Sequence, residues 1–124
     1  MRIFKNSWFV KFARREDITD DALKKTIIAA NDGLVDANLG GGLIKLRIAR
    51  EGAGKSGGYR TIVCFSKADR AVCAFGFAKN DIANLSATDL AALKKIAKMY
   101  LTPDEGELEQ LIQNRLIEEI IRHD

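Results

Sequence analysis

Residues 43–48 read Leu-Ile-Lys-Leu-Arg-Ile, and from position 44 onward apolar and basic side chains alternate. In an extended chain, successive side chains point to opposite faces. The two isoleucines and the second leucine therefore share one face, and Lys45 and Arg47 share the other. This period of two predicts a half-buried strand that buries its aliphatic side and presents two cations.

Two further strands are predicted after this one. Residues 59–65 and 71–78 are rich in β-branched, aromatic and small apolar side chains. Only residues 66–70 separate them, so the two strands are expected to pair antiparallel. The glycine-rich residues 51–58 are interpreted as a flexible turn that precedes them. The centre of the chain thus predicts an antiparallel sheet.

Helical patterns lie on the N-terminal side of this sheet. After a short strand predicted at residues 2–5, Ser7 is the expected N-cap of one helix and Thr19 the expected N-cap of a second. Gly33 is expected to end the second helix. Because the two helices are short and consecutive, they are predicted to form a hairpin.

Two more helices are predicted on the C-terminal side. Ser86 is the expected N-cap of the first, and Pro103 stands where the second begins. For residues 116–121, periodicity leaves two alternatives open, a last helical turn or a short edge strand. The pattern as a whole predicts an α+β fold, in which an N-terminal helical hairpin packs on a small, mostly antiparallel sheet and helices follow at the C-terminal end.

The composition favours a single soluble domain. The chain has 124 residues, of which 47% are hydrophobic and 30% charged, a typical globular balance. No apolar run reaches the roughly 20 residues of a membrane helix. Residues 1–5 lack the apolar core of a signal peptide, so we expect a cytoplasmic protein with no membrane partner. Cys64 and Cys73 are expected to be reduced.

The single histidine, His123, excludes several kinds of site. A histidine-pair nuclease needs two, and a Cys/His zinc site needs more ligands than this chain contains. No metal or cofactor is therefore expected. Residues 49–56 fit the loosest phosphate-loop pattern, but such a loop leads from a strand into a helix. Here a β-rich run follows instead, so we reject nucleotide binding.

Charge is distributed unevenly along the chain. Residues 1–101 carry 18 basic and 10 acidic side chains, whereas residues 102–124 carry 2 and 7. A basic body favours a polyanionic partner. We interpret residues 102–124 as an acidic C-terminal extension of the same domain. It is expected to pack near the basic surface or to extend the sheet, and so to modulate access to that surface.

Basic side chains gather around the predicted strands. They are Lys45, Arg47, Arg50, Arg60 and Lys79. On the third predicted strand, Phe75 and Phe77 share one face, which we expect to face the core. The opposite face then carries small side chains and Asn80, which predicts a shallow basic groove suited to a nucleic-acid backbone. Lys55, on the glycine-rich turn, is a further candidate for phosphate contact.

Three motifs in this region resemble the RelE/ParE superfamily of bacterial type II toxins, and the HigB-like branch most closely. They are Gly-Gly-Leu-Ile-Lys-Leu-Arg at 41–47, Gly-Lys-Ser-Gly-Gly-Tyr-Arg at 54–60 and Phe-Gly-Phe-Ala-Lys-Asn-Asp at 75–81. The resemblance makes residues 1–101 a RelE-like toxin domain. It implies the RelE-like toxin fold, cleavage of mRNA in the ribosomal A site, and neutralisation by a cognate antitoxin, often a helix-turn-helix protein.

The resemblance also implies roles for individual residues. In RelE-type cleavage, the 2′-hydroxyl of the RNA attacks the adjacent phosphate. Lys45 is favoured for proton transfer and Arg47 for charge stabilisation, because a crowded lysine can lose its proton and an arginine almost never does. Arg60 is expected to hold the scissile phosphate in a bidentate contact. The other candidate RNA contacts are Arg50, Lys55, Tyr59, Lys79 and Asn80.

Departures from the family pattern keep other functions open. Asn80 stands where some relatives have an arginine, and no C-terminal tyrosine matches, since Tyr100 falls on the apolar stripe of a helix. For Tyr59, packing in the core is an alternative to stacking on a base. The alternative functions are a non-enzymatic ParE-like inhibitor of gyrase and an inactive nucleic-acid-binding module.

Overall fold

A computed structural model describes residues 1–50, 54–78 and 85–120, without the side chains of residues 49, 50 and 54–57. Its elements, in chain order, are β1 (Arg2–Asn6), α1 (Ser7–Arg15), α2 (Asp20–Asn31), β2 (Ala37–Gly40), β3 (Leu43–Arg50), β4 (Gly54–Ser66), β5 (Arg70–Ala78), α3 (Ala87–Leu101), α4 (Glu105–Gln113) and β6 (Ile117–Glu119). The α+β fold, the helical hairpin and the C-terminal helices are confirmed. None of the helices in these ranges combines the length and hydropathy of a membrane span.

The strands form a single sheet in the order β2-β3-β4-β5-β1-β6. Strand β1 runs parallel to β5, and the other neighbours are antiparallel. Two features differ from the sequence prediction. Strand β2 was not predicted, and residues 54–58, predicted as part of a turn, begin β4. For residues 116–121, the edge strand is the alternative that forms, as β6.

The sheet separates two hydrophobic cores. On one side, which we call the hairpin face, buried Phe9 and Phe12 of α1 pack over β5 and β1, and Leu23 and Ile27 of α2 pack over the aliphatic side of β3. On the other side, the C-helix face, α3 and α4 pack over the end of the sheet that carries Leu43, Ile62, Cys64 and Val72. The period of two in β3 is thereby confirmed: its isoleucines and Leu46 are buried on the hairpin face.

Asn6 joins β1 to α1 and is the N-cap that the sequence analysis wrongly assigned to Ser7. Its side-chain oxygen accepts a 2.9 Å hydrogen bond from the backbone N–H of Phe9. Its amide nitrogen donates a 3.2 Å bond to the carbonyl of Ala74. The β4–β5 register shifts here, pairing Ile62 with Phe75 and the next residue with Cys73, so Ala74 is the extra residue of a β-bulge. The Asn6 side chain therefore caps a helix and, at the same time, donates a hydrogen bond to the carbonyl of the β-bulge.

The acidic extension is anchored at the start of β1. Arg2 bonds Glu119 at 2.8 and 2.9 Å, Glu105 at 2.9 Å and Glu109 at 3.2 Å. The hydrogen bond to Glu119 raises the pKa of the Arg2 guanidinium above its usual value. Arg2 lies opposite Arg70 in the register, at the end of β5 remote from Ala78. Of the two expected arrangements, the extension adopts the one that extends the sheet, through β6.

Cys64 and Cys73 lie in adjacent strands on opposite faces of the sheet, and both are free. Burial raises the pKa of each thiol to about 12. At pH 8 the reactive thiolate should therefore be scarcer than in the unfolded chain by about a factor of a thousand. We expect a chromogenic disulfide reagent to label neither thiol of the native protein, and both in denaturant. Fast labelling of the native protein would contradict this burial.

Candidate functional site

The register of the sheet places the predicted cations in transverse rows. Arg47 lies directly opposite Arg60, and Arg60 lies directly opposite Phe77. One step along the strands, Lys45 lies opposite Ile62 on β4. Side chains directly opposite one another in antiparallel strands share a face and approach to about 5 Å. Lys45, Arg47 and Arg60 therefore form one cluster on the C-helix face, which we call the cation cluster.

Phe75 and Phe77 were predicted to lie on the face opposite the cations, and this is wrong. Phe77 shares the face of Arg60, its cross-strand partner, and Phe75 that of Ile62. The reason is the close packing of α1 on the opposite face of β5, at Gly76. A Cβ at Gly76 would come within 2.6 Å of Phe12, so the hairpin face at this point admits only glycine. The surface beside the cations is consequently aromatic rather than floored by small residues.

Asp36 is the member of this site that the sequence analysis did not identify. Its Oδ2 lies 3.8 Å from Lys45 Nζ and 4.0 Å from Arg60 Nε. The carboxylate thus stands between two of the predicted catalytic cations, at distances longer than those of a good charge-assisted hydrogen bond. Nothing in the sequence singled it out, because it precedes β2, whose four residues show no clear pattern.

Arg60 lies at the sheet surface and has a hydrogen-bond donor that is not used by the part of the chain that the structure describes. Its side chain is 16% exposed, and among the described residues its buried Nη1 has no hydrogen-bond partner. A buried donor without an acceptor is costly and uncommon. A phosphate oxygen is an acceptor of the required kind, because guanidinium groups bind phosphate with short, strong hydrogen bonds. Arg60 Nη1 is therefore a donor available for an acceptor such as an anion.

Tyr59 takes the packing role and not the base-stacking role. It is 2% exposed. Its ring meets Phe12 edge-on at a centroid distance of 5.9 Å. Its hydroxyl donates a 3.0 Å hydrogen bond to Glu16. These contacts belong to the hairpin face, opposite the cation cluster. Tyr59 therefore helps to set the helix hairpin on the sheet.

The other candidate contacts are less fully described. Arg50 and Gly54 pair where β3 and β4 meet. Lys55 follows within β4, so its backbone belongs to a strand and not to the predicted loop. The side chains of Arg50 and Lys55 fall outside the described residues, as do Lys79 and Asn80 entirely. The candidate site within the described residues therefore consists of the cation cluster, Asp36 and the neighbouring aromatic rings.

Comparison with known protein families gives a match over most of the chain. The family model described as the RelE toxin of the RelE/RelB toxin-antitoxin system matches residues 1–120. A search of curated proteins found no significant match. The match is to the family as a whole, so the assignment to a HigB-like branch stays a prediction. Within the described ranges, no three His, Cys, Asp or Glu side chains are grouped as a metal site would require.

Proposed function

Since the chain belongs to the RelE family of toxins from toxin–antitoxin systems, we propose that it is a ribosome-dependent endoribonuclease that cuts mRNA in the A site. The observation that carries the proposal is the pair of opposed arginines, Arg47 and Arg60, of which Arg60 has a buried Nη1 without an acceptor in the part of the chain that the structure describes. An antitoxin partner follows from the family. That this antitoxin is a helix-turn-helix protein, and that the toxin acts in the cytoplasm on the ribosome and its mRNA, are parts of the proposal.

The proposed reaction involves the RNA and the three side chains of the cation cluster. The 2′-hydroxyl oxygen attacks the adjacent phosphorus while the bond to the 5′ oxygen breaks, which leaves a 2′,3′-cyclic phosphate and a 5′-hydroxyl. Lys45 takes the proton of the 2′-hydroxyl and returns a proton to the 5′ oxygen. Arg47 stabilises charge on the phosphorane, and Arg60 holds the phosphate in a bidentate contact.

Induced expression in bacteria with mapping of mRNA 5′ ends tests this proposal. Growth arrest with new cuts inside translated reading frames is the expected result. Arrest without cuts, accompanied by inhibition of gyrase in a supercoiling assay, would replace the proposal with a ParE-like inhibitor. Folded protein that causes neither arrest nor cuts would indicate an inactive nucleic-acid-binding module.

Asp36 is expected to compete with phosphate for the cation cluster. Its carboxylate is partly exposed, and an ion pair of this kind is worth up to about 1 kcal/mol. Asp36→Asn should therefore raise affinity for single-stranded RNA by up to about fivefold, measured by fluorescence anisotropy. Asp21→Asn, an equal charge change on an exposed residue of α2, is the control. Equal affinities of the two variants would contradict this role for Asp36.

A further inference from the structure

An aromatic strip lies beside the cation cluster. The indole of Trp8 is 4.7 Å from the ring of Phe75, and Phe75 is 6.2 Å from Phe77, measured between ring centroids. Phe77 in turn stands directly across from Arg60. The strip therefore runs from α1 round the edge of β5 and ends next to the proposed phosphate-binding arginine.

The strip has a structural origin in the bulge of β5. Among the described residues, β1 pairs with β5 only as far as Cys73, and the last part of β5 continues beyond this pairing. Trp8 lies at the start of α1, just after Asn6 fastens that helix to the bulge. Its ring also stacks on Phe12 at 5.1 Å. The strip is thus a continuous row of rings held by two elements, α1 and β5.

The three rings of the strip remain partly exposed, although Phe75 also packs against the core on the C-helix face. Trp8, the single tryptophan of the chain, is 41% exposed. Phe75 and Phe77 are half-buried, although they share the face on which α3 and α4 cover the other end of the sheet. Large rings left partly in water next to clustered cations are the combination that binds single-stranded nucleic acid, with rings stacking on bases and cations meeting phosphates.

We propose that Trp8, Phe75 and Phe77 form a base-binding strip that receives the nucleobase next to the phosphate held by Arg60. The inference rests on the proposed action on RNA and adds to it a subsite for bases. A stacked base would fix the direction of the strand across the cation cluster. Because every base has a π-face, the strip is expected to bind bases with little sequence preference.

The test separates base binding from phosphate binding and from cleavage. The probes are two fluorescein-labelled 2′-O-methyl hexanucleotides, one of adenosines and one abasic throughout, and neither has the 2′-hydroxyl that cleavage needs. The wild-type protein should bind the adenosine probe about tenfold more tightly than the abasic probe. Emission from Trp8 should also fall more with the adenosine probe. Equal affinities for the two probes, or no binding of either, would overturn the proposal.

Variants assign any base-dependent affinity to the strip. Phe77→Leu keeps an apolar side chain but removes the ring, and should remove most of the tenfold preference while leaving abasic binding unchanged. Phe65→Leu, the same substitution in β4 at a residue packed on the hairpin-face core, should keep the preference. A preference that survives Phe77→Leu and Trp8→Leu would overturn the proposal. Since neither probe can be cut, these results stand apart from whether the chain cleaves mRNA.

Discussion

Replacing Lys45, Arg47 and Arg60 together by alanine is expected to abolish both growth arrest and mRNA cutting. The three cations share one face of β3 and β4, where the proposed phosphorane gathers negative charge. Removing a single preorganised donor to such a charge typically lowers the rate by about 10²–10³-fold. Loss of all three should therefore leave no cuts detectable by 5′-end mapping. None of the three belongs to either hydrophobic core, so the variant should remain folded by circular dichroism.

The control must remove the same charge from elsewhere on the surface. Lys67, Lys95 and Lys98 are exposed and lie in the β4–β5 turn and on α3. Their triple alanine variant should still arrest growth and cut mRNA. Loss of activity in this control as well would show that the cation cluster contributes only general positive charge. Full activity in the cation-cluster variant would show that these three residues are not catalytic.

A single substitution separates charge from geometry at Arg60. Arg60→Lys keeps the positive charge but removes the planar fork that binds phosphate through two hydrogen bonds. Among the described residues, Arg60 Nη1 is buried without a hydrogen-bond partner, and a single ammonium does not reproduce the paired donors of the guanidinium. Cutting by Arg60→Lys should therefore be nearly as weak as cutting by Arg60→Ala.

The cation cluster could be predicted from the sequence because the pattern that defines it lies within a few neighbouring residues. In residues 43–48 the period of two assigns Lys45 and Arg47 to one face without reference to the rest of the chain. Arg60 opens the strand that pairs next to it, and a short β4–β5 turn limits the possible pairings. The family motifs agreed with this local pattern, and the match over residues 1–120 supports the fold that they implied.

What the sequence did not predict depends on contacts between distant residues. Periodicity shows that Phe75 and Phe77 share a face but not which face, since that choice follows from the bulge at Ala74 and the approach of Phe12 to Gly76. Asp36 reaches Arg60 only because β2 adds to the edge of β3. Both features depend on the three-dimensional arrangement of the strands and not on the local sequence.

Asn6→Ala is expected to be the most destabilising polar substitution among those considered, because the Asn6 side chain is buried and makes two different hydrogen bonds. Loss of the N-cap bond to Phe9 costs about 1 kcal/mol. The buried Ala74 carbonyl would also lose its donor, at a further cost of about 1–3 kcal/mol. The free energy of unfolding should fall by about 2–4 kcal/mol, and the melting temperature by about 10 °C.

Thr19→Ala provides the matched comparison for this loss of stability. Thr19 caps α2 through a 3.1 Å bond from the N–H of Ala22, at an exposed position where its side chain makes no second hydrogen bond to the described residues. Its loss should cost only about 1 kcal/mol when both variants are unfolded in urea titrations. The difference between the two variants therefore measures the bond from Asn6 to the β-bulge. If Asn6→Ala costs no more than Thr19→Ala, the bulge does not hold α1. The position of Trp8 beside Phe75 would then have to come from ring packing alone.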